Sequence, residues 1–157
     1  MNIKKLNDRE EMATDNKLKM IYSELTELLN ELKSKELKQS VVAFINEAVD
    51  EINTSTNSGK RLIKLVLEKQ AAILHQVEKE HKIVQKNRYR NTWIFLGMTL
   101  IGVPIGAALG LSIGNIGLLG LGFPVGIAIG LLIGISLDKK ALRDGRQLKT
   151  EIKNFLR

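Results

Sequence analysis

The fold is decided by a 45-residue stretch, Trp93–Leu137, which reads WIFLGMTLIGVPIGAALGLSIGNIGLLGLGFPVGIAIGLLIGISL. It contains no Asp, Glu, Lys, Arg or His, although charged residues make up 26% of the 157-residue chain. As one straight helix it would be about 68 Å long, about twice the ~30 Å hydrocarbon core of a bilayer. The stretch therefore predicts a transmembrane hairpin: a first span from Trp93 to Gly114, a turn near residues 115–120, and a second span ending at Leu137.

Basic residues lie at both edges of this stretch. Residues 1–92 carry 17 Lys and Arg against 14 Asp and Glu, and residues 138–157 carry 7 against 3. Positive charge beside a span favours the cytoplasmic side, so we expect two spans with both termini in the cytoplasm. The predicted membrane-flanking residues are Arg88, Arg90, Trp93, Lys139, Lys140 and Arg143. Aromatic residues make up only 4% of the chain, which argues against a nucleic-acid partner.

The two spans look like copies of one unit. At an offset of 20 residues, eight identities fall in a window of 13, following G-x-P-x-G-x-A-x-G-L-x-I-G. Glycines four residues apart form one strip along a helix, and glycine lets helices pack closely in lipid. The predicted helix-packing residues are Gly102, Gly106, Gly110, Gly114, Gly122, Gly126, Gly130 and Gly134.

These ladders resemble the glycine zippers of small bacterial membrane proteins with a two-helix transmembrane hairpin. The resemblance covers about 45 of the 157 residues. It implies association in a membrane, and in some such proteins a pore. The block also resembles the Gly-rich hairpin of the proteolipid c subunit of rotary ATPases, but it lacks the intramembrane carboxylate with which that family carries its ion.

The remaining sequence predicts an all-α protein with a cytoplasmic helical bundle or coiled coil over residues 1–90. Leu18, Ile21, Leu25, Leu28 and Leu32 follow a three-four spacing, which is typical of a helix seam. After a loop at residues 54–59, the pattern predicts one helix from Lys60 that continues into the first span. Residues 91–137 form the hairpin, and residues 138–157 form a basic amphipathic cytoplasmic tail. That tail either lies on an anionic membrane surface or packs on the cytoplasmic helices.

The sequence offers no catalytic, metal-binding or cofactor-binding pattern. It has no cysteine, and His75 and His81 are six residues apart, on different faces of a helix. We therefore expect neither an enzyme nor a metal or cofactor site. Ser58-Gly59-Lys60-Arg61 departs from a phosphate-binding loop at two positions.

Two functions fit this organisation. The first is a self-associating integral membrane protein whose cytoplasmic helices act as a scaffold or as an anchor for a cytoplasmic protein partner. The second is an oligomeric pore-forming or membrane-permeabilising protein. Only Thr99, Ser112, Asn115 and Ser136 offer polar side chains to a conduit, which favours the anchor. A helical hairpin buried inside a soluble protein is the alternative to both.

Overall fold

The computed structural model describes residues 2–150, and every regular element within that range is helical. The all-α prediction is thus confirmed for this part of the chain. The chain divides into two units. Among the described residues, the first unit, here called the helical unit, comprises residues 2–85 together with residues 148–150; the second, the hairpin unit, comprises residues 86–147.

The helical unit contains three α-helices around one aliphatic core. A short 3-10 helix, Glu10–Ala13, precedes α1 (Asn16–Lys33), α2 (Gln39–Thr54) and α3 (Gly59–His81). The Asp15 carboxylate accepts hydrogen bonds from the first free backbone N–H groups of α1. All five residues of the predicted α1 seam are fully buried. Burial of such aliphatic side chains is the main favourable term in the stability of this unit.

Two asparagines of α2 hold the N-terminal segment in an extended conformation. Asn46 accepts a hydrogen bond from the backbone N–H of Lys4 and donates one to the carbonyl oxygen of Asn2. Asn53, two turns along the same face, does the same with the backbones of Asn7 and Lys5. The segment is thereby fixed against α2, and Ile3 is buried in the core.

The hairpin unit consists of two long apolar helices. The first comprises α4 (Arg88–Leu96), a π-helical segment (Gly97–Gly102) and α5 (Val103–Ile113), which follow one another without a break. The turn and a 3-10 helix (Ile116–Leu121) lead into α6 (Gly122–Arg143). The two helices are long and apolar enough to cross a membrane, over Arg88–Ile113 (26 residues) and Gly117–Arg143 (27 residues).

The prediction of one continuous helix from Lys60 into the first span was wrong. Helix α3 ends at His81, and Lys82 and Asn87 both adopt left-handed backbone conformations, with φ of 56° and 62°. Between them Ile83 and Val84 are buried in an extended segment. Burial of these two side chains competes with helix continuation, and asparagine is one of the few residues that tolerates the left-handed region.

The structure also divides the C-terminal region differently from the predicted tail of residues 138–157. Helix α6 continues past Leu137 to Arg143, so its last turns are charged. Leu148 is only 1% exposed and lies in the core of the helical unit. At Leu148–Thr150 the chain packs on protein, which was one of the two alternatives for the tail. Residues 151–157 lie outside the described range.

Candidate helix-packing and membrane-flanking site

The inner face of the hairpin is made of glycine. A methyl group added at Gly126 would overlap the carbonyl oxygen of Gly97, and one added at Gly122 would overlap that of Gly102. A methyl group at Gly106 would overlap the carbonyl oxygen of Leu119. The two helices therefore pack backbone against backbone, at a separation that no larger residue permits.

The glycines near the base of α6 face ordinary residues rather than other glycines. A methyl group at Gly130 would overlap the Trp93 carbonyl oxygen, and one at Gly134 would lie 2.5 Å from the Cα atom of Arg90. The ladder on α6 thus contacts the first helix along four turns. The residues on the opposite helix need only an accessible backbone at those points.

One glycine of the predicted set, Gly114, plays another part. Gly114 has a φ of 70° and ends α5, with open space where a side chain would be, so it is not a packing glycine. Its left-handed conformation is one that glycine adopts without strain. Gly110 is buried, and its carbonyl oxygen accepts a hydrogen bond from the Asn115 backbone N–H in the turn.

Sequence reasoning missed Gly97, which the structure places on the inner face. Gly97 and Gly102 are five residues apart, and in a regular α-helix that step would turn the second glycine about 140° away from the first. The π-helical segment Gly97–Gly102 contains the extra residue in a wider turn, with the Val103 N–H bonded to the Met98 carbonyl oxygen. The five-residue step followed by four-residue steps was the signal for both features.

Pro104 explains why the wide turn occurs there. Proline lacks an N–H group and its ring crowds the carbonyl four residues earlier, that of Leu100, which lies within the π-helical segment. Beside it, the Thr99 hydroxyl donates to the Phe95 carbonyl oxygen at 2.9 Å. The equivalent Pro124 lies in the first turn of α6, where a missing N–H leaves no hydrogen bond unmade.

Asp138 closes the base of the hairpin. Asp138 is 8% exposed, and its carboxylate accepts hydrogen bonds from the backbone N–H groups of Tyr89 and Arg90, at 3.2 and 2.9 Å. These are free donors of the first turn of α4, so a side chain of α6 serves as the cap of α4. The sequence showed Asp138 only as the first charge after the span; nothing in it pointed to a partner 48 residues away.

The predicted membrane-flanking residues converge on this same end. Arg88, Arg90 and Trp93 are half-buried in the first turns of α4, and Lys139, Lys140 and Arg143 are exposed near the end of α6. A hydrogen bond from Arg146 lowers the pKa of Asp144, just beyond α6. The cationic ends of both helices thus lie at one level.

The outer face of the hairpin is apolar and exposed. Leu111 is 81% exposed and Leu132 is 71% exposed, and several other large side chains are similar. Only 22% of the most apolar window of each helix is buried in the protein. A core helix of a soluble protein would be largely buried, so these helices lack a protein covering within the described residues.

In the helical unit, the C-terminal segment is held by one carboxylate. Glu31 of α1 accepts hydrogen bonds from the backbone N–H groups of Lys149 and Thr150, at 2.6 and 3.0 Å, and from the Thr150 hydroxyl at 2.8 Å. Partial burial acts to raise the pKa of Glu31, but these hydrogen bonds outweigh it and lower that pKa below its usual range. The Leu148 N–H also donates to the Val84 carbonyl oxygen.

Within residues 2–150 no group of three or more His, Asp or Glu side chains is placed to hold a metal ion. Comparisons with protein-family models, with curated proteins and with solved structures return no match to this chain. The geometry of the hairpin and of the helical unit is therefore the basis for the function proposed below.

Proposed function

We propose that this protein is an integral membrane anchor: the hairpin unit spans the bilayer twice, and the helical unit is held at the cytoplasmic face as a scaffold or binding platform. One observation carries the proposal. Two adjacent helices of 26 and 27 residues turn glycine toward each other and large apolar side chains outward. That arrangement suits lipid as the surrounding solvent, because close backbone packing needs no hydrophobic drive between the helices.

The orientation follows from the base of the hairpin. Both helices end there in basic residues, and the chain both enters and leaves the hairpin unit at that end. The positive-inside preference assigns that end to the cytoplasm and the turn at Asn115 to the opposite side of the membrane. The chain segments before and after the hairpin then lie on the cytoplasmic side.

The helix contacts support the anchor more than the pore. The glycine ladders are occupied within one hairpin, so they are not free to pack an oligomer around a conduit. The Thr99 hydroxyl is bonded to the Phe95 carbonyl oxygen, and the Asn115 side chain accepts the Gly117 N–H. Self-association and a cytoplasmic protein partner stay predictions, and association between copies has to use the outer apolar face of the hairpin.

Two measurements test the anchor. Membranes from cells making the full-length protein are washed with alkaline carbonate, which releases peripheral proteins; we expect the protein to stay in the pellet. Single cysteines are then placed at Ser58, Lys149 and Gly120, since the natural chain has none. In intact cells an impermeant thiol reagent is expected to label Gly120→Cys at the hairpin turn and to spare the other two.

Each outcome separates one alternative. Release by carbonate would identify the hairpin as a buried or peripheral element. Labelling of either Ser58→Cys or Lys149→Cys, but not both, would show a single crossing and would end the hairpin topology. Dye leakage from liposomes carrying the purified protein would favour the permeabilising function instead.

A further inference from the structure

We propose that the base of the hairpin binds anionic phospholipid headgroups in preference to zwitterionic ones. The inference rests on the proposed function, because the base must lie at the membrane surface for headgroups to reach it. The binding surface, here called the basic collar, consists of the cations at the starts and ends of the two hairpin helices: Lys86, Arg88, Arg90, Lys139, Lys140, Arg143 and Arg146.

The fold brings these seven cations together at one end of the hairpin. In the sequence, three of them precede the 45-residue uncharged stretch and the other four follow it. The Asp138 hydrogen bonds to Tyr89 and Arg90, and the close approach of Gly134 to Arg90, place the start of α4 beside the end of α6. Arg143 lies only five residues past Asp138, about 7.5 Å along the helix.

The exposed cations at the end of α6 have no acidic partner among the described residues. Asp138 and Asp144 are the only acidic residues between Lys86 and Gln147. Asp138 is committed to backbone N–H groups, and Asp144 to Arg146. Lys139, Lys140 and Arg143 are exposed and form no salt bridge with the described residues. The two acids of this segment therefore already have partners, and the exposed cations Lys139, Lys140 and Arg143 are the ones that can attract an anion.

The charge of the collar and the apolar surface beside it indicate which ligand fits. An anionic phospholipid matches the basic collar and the apolar helix surface beside it. Its phosphate contacts the lysines of the collar, and its acyl chains lie along exposed side chains such as Leu132. Half-buried Trp93 and Tyr89 lie at the same level, where aromatic rings favour the headgroup zone. A zwitterionic headgroup carries the same phosphate, but its own ammonium group cancels the charge that the collar attracts.

The test uses the full-length protein in a neutral detergent with equal amounts of phosphatidylglycerol and phosphatidylcholine of identical acyl chains. Native mass spectrometry counts the lipids retained on the protein. Each Lys or Arg near an anionic lipid surface strengthens binding to that surface by about fivefold. We therefore expect phosphatidylglycerol adducts to exceed phosphatidylcholine adducts by at least about fivefold. Lys139→Gln, Lys140→Gln and Arg143→Gln combined should reduce that ratio toward one.

A matched variant carries the same charge change elsewhere. Lys60, Arg61 and Lys64 are three exposed cations in the first turns of α3, and their replacement by Gln should leave the lipid ratio unchanged. Equal retention of the two lipids by the natural protein would overturn the proposal. An equal fall in the ratio of phosphatidylglycerol to phosphatidylcholine adducts in both triple variants would also overturn it. Carbonate extraction distinguishes the two failures: a protein that stays in the membrane but shows no lipid preference contradicts the collar alone.

Discussion

The helical unit and the hairpin unit are built in opposite ways. In the helical unit most buried side chains are leucine, isoleucine and valine, such as Leu28 and Ile73, and the exposed faces are charged. In the hairpin unit glycine fills most of the buried positions, and large exposed leucine and isoleucine side chains lie outside. The two units thus place their large apolar side chains on opposite sides, inside in the helical unit and outside in the hairpin unit. In water apolar area is removed from solvent, whereas in lipid the close approach of backbones decides which face is inside.

The largest effect should come from truncating the same residue type in each unit. Leu28 is fully buried in the helical unit, and Leu28→Ala should cost about 2–5 kcal/mol of unfolding free energy. Leu132 is exposed on the hairpin, and Leu132→Ala should change stability by less than about 0.5 kcal/mol. Urea unfolding of the full-length protein in mild detergent, followed by circular dichroism, measures both. Similar losses would break the comparison.

The next effect comes from adding one carbon to the glycine face. Gly126→Ala places a methyl group 2.7 Å from the Gly102 nitrogen, so the helices must separate. Such overpacking costs about 1–3 kcal/mol, reduced by up to about 1 kcal/mol from the better helix propensity of alanine. Thermal melting in detergent should show a lower midpoint. Gly120→Ala, with open space around it, is the control, and equal midpoints for the two variants would show that the inner face tolerates side chains.

A smaller effect is expected at the base of the hairpin. Asp138→Ala removes the acceptor for the Tyr89 and Arg90 N–H groups and should cost about 0.5–2 kcal/mol, the range for losing a helix cap. Asp138→Asn keeps an oxygen acceptor and should cost less. Hydrogen exchange at the Tyr89 and Arg90 amides reports the loss locally. Asp144→Ala, which removes an exposed acid nearby, should leave those two amides protected.

The smallest effect belongs to the Glu31 carboxylate. Its pKa is lowered in the folded protein, so the attachment of the C-terminal segment is at full strength above the ordinary carboxyl pKa and weakens as pH falls through the lowered value. Hydrogen exchange at Lys149 and Thr150, corrected for intrinsic rates, should accelerate as the pH falls from neutral to below the ordinary carboxyl pKa of 4.5. Glu31→Gln should remove that pH dependence. A natural protein with constant protection across this range would contradict the assignment.

Much of this comparison could be predicted from the sequence, because solvent preference is a property of composition. The uncharged stretch predicted both long apolar helices, and the three-four spacing of α1 predicted its buried face. The eight-glycine pattern identified most of the positions that now lie against another backbone. These features depend on the period of one helix and need no knowledge of its partner.

The features that were missed have different physical causes. Gly97 fell outside the four-residue ladder because a π-helical turn keeps it on the strip, and Asp138 gains its role from α4. The end of α3 was missed because no glycine or proline marks it; burial of Ile83 and Val84 breaks the helix instead. The internal repeat did not show which positions meet: Gly102 and its match Gly122 face each other, whereas Gly126 faces Gly97 and Gly102 rather than its own match, Gly106.

Lipid around the hairpin can be detected by measuring how often oxygen and a water-soluble nickel complex collide with a spin label on its outer face. A nitroxide spin label is attached at Leu132→Cys, and separately at Ser58→Cys in the helical unit, in full-length protein reconstituted into liposomes. The label at residue 132 should collide often with oxygen, which concentrates in lipid, and rarely with a water-soluble nickel complex; the label at residue 58 should show the reverse. Frequent collision of the nickel complex with the label at residue 132 would contradict the account.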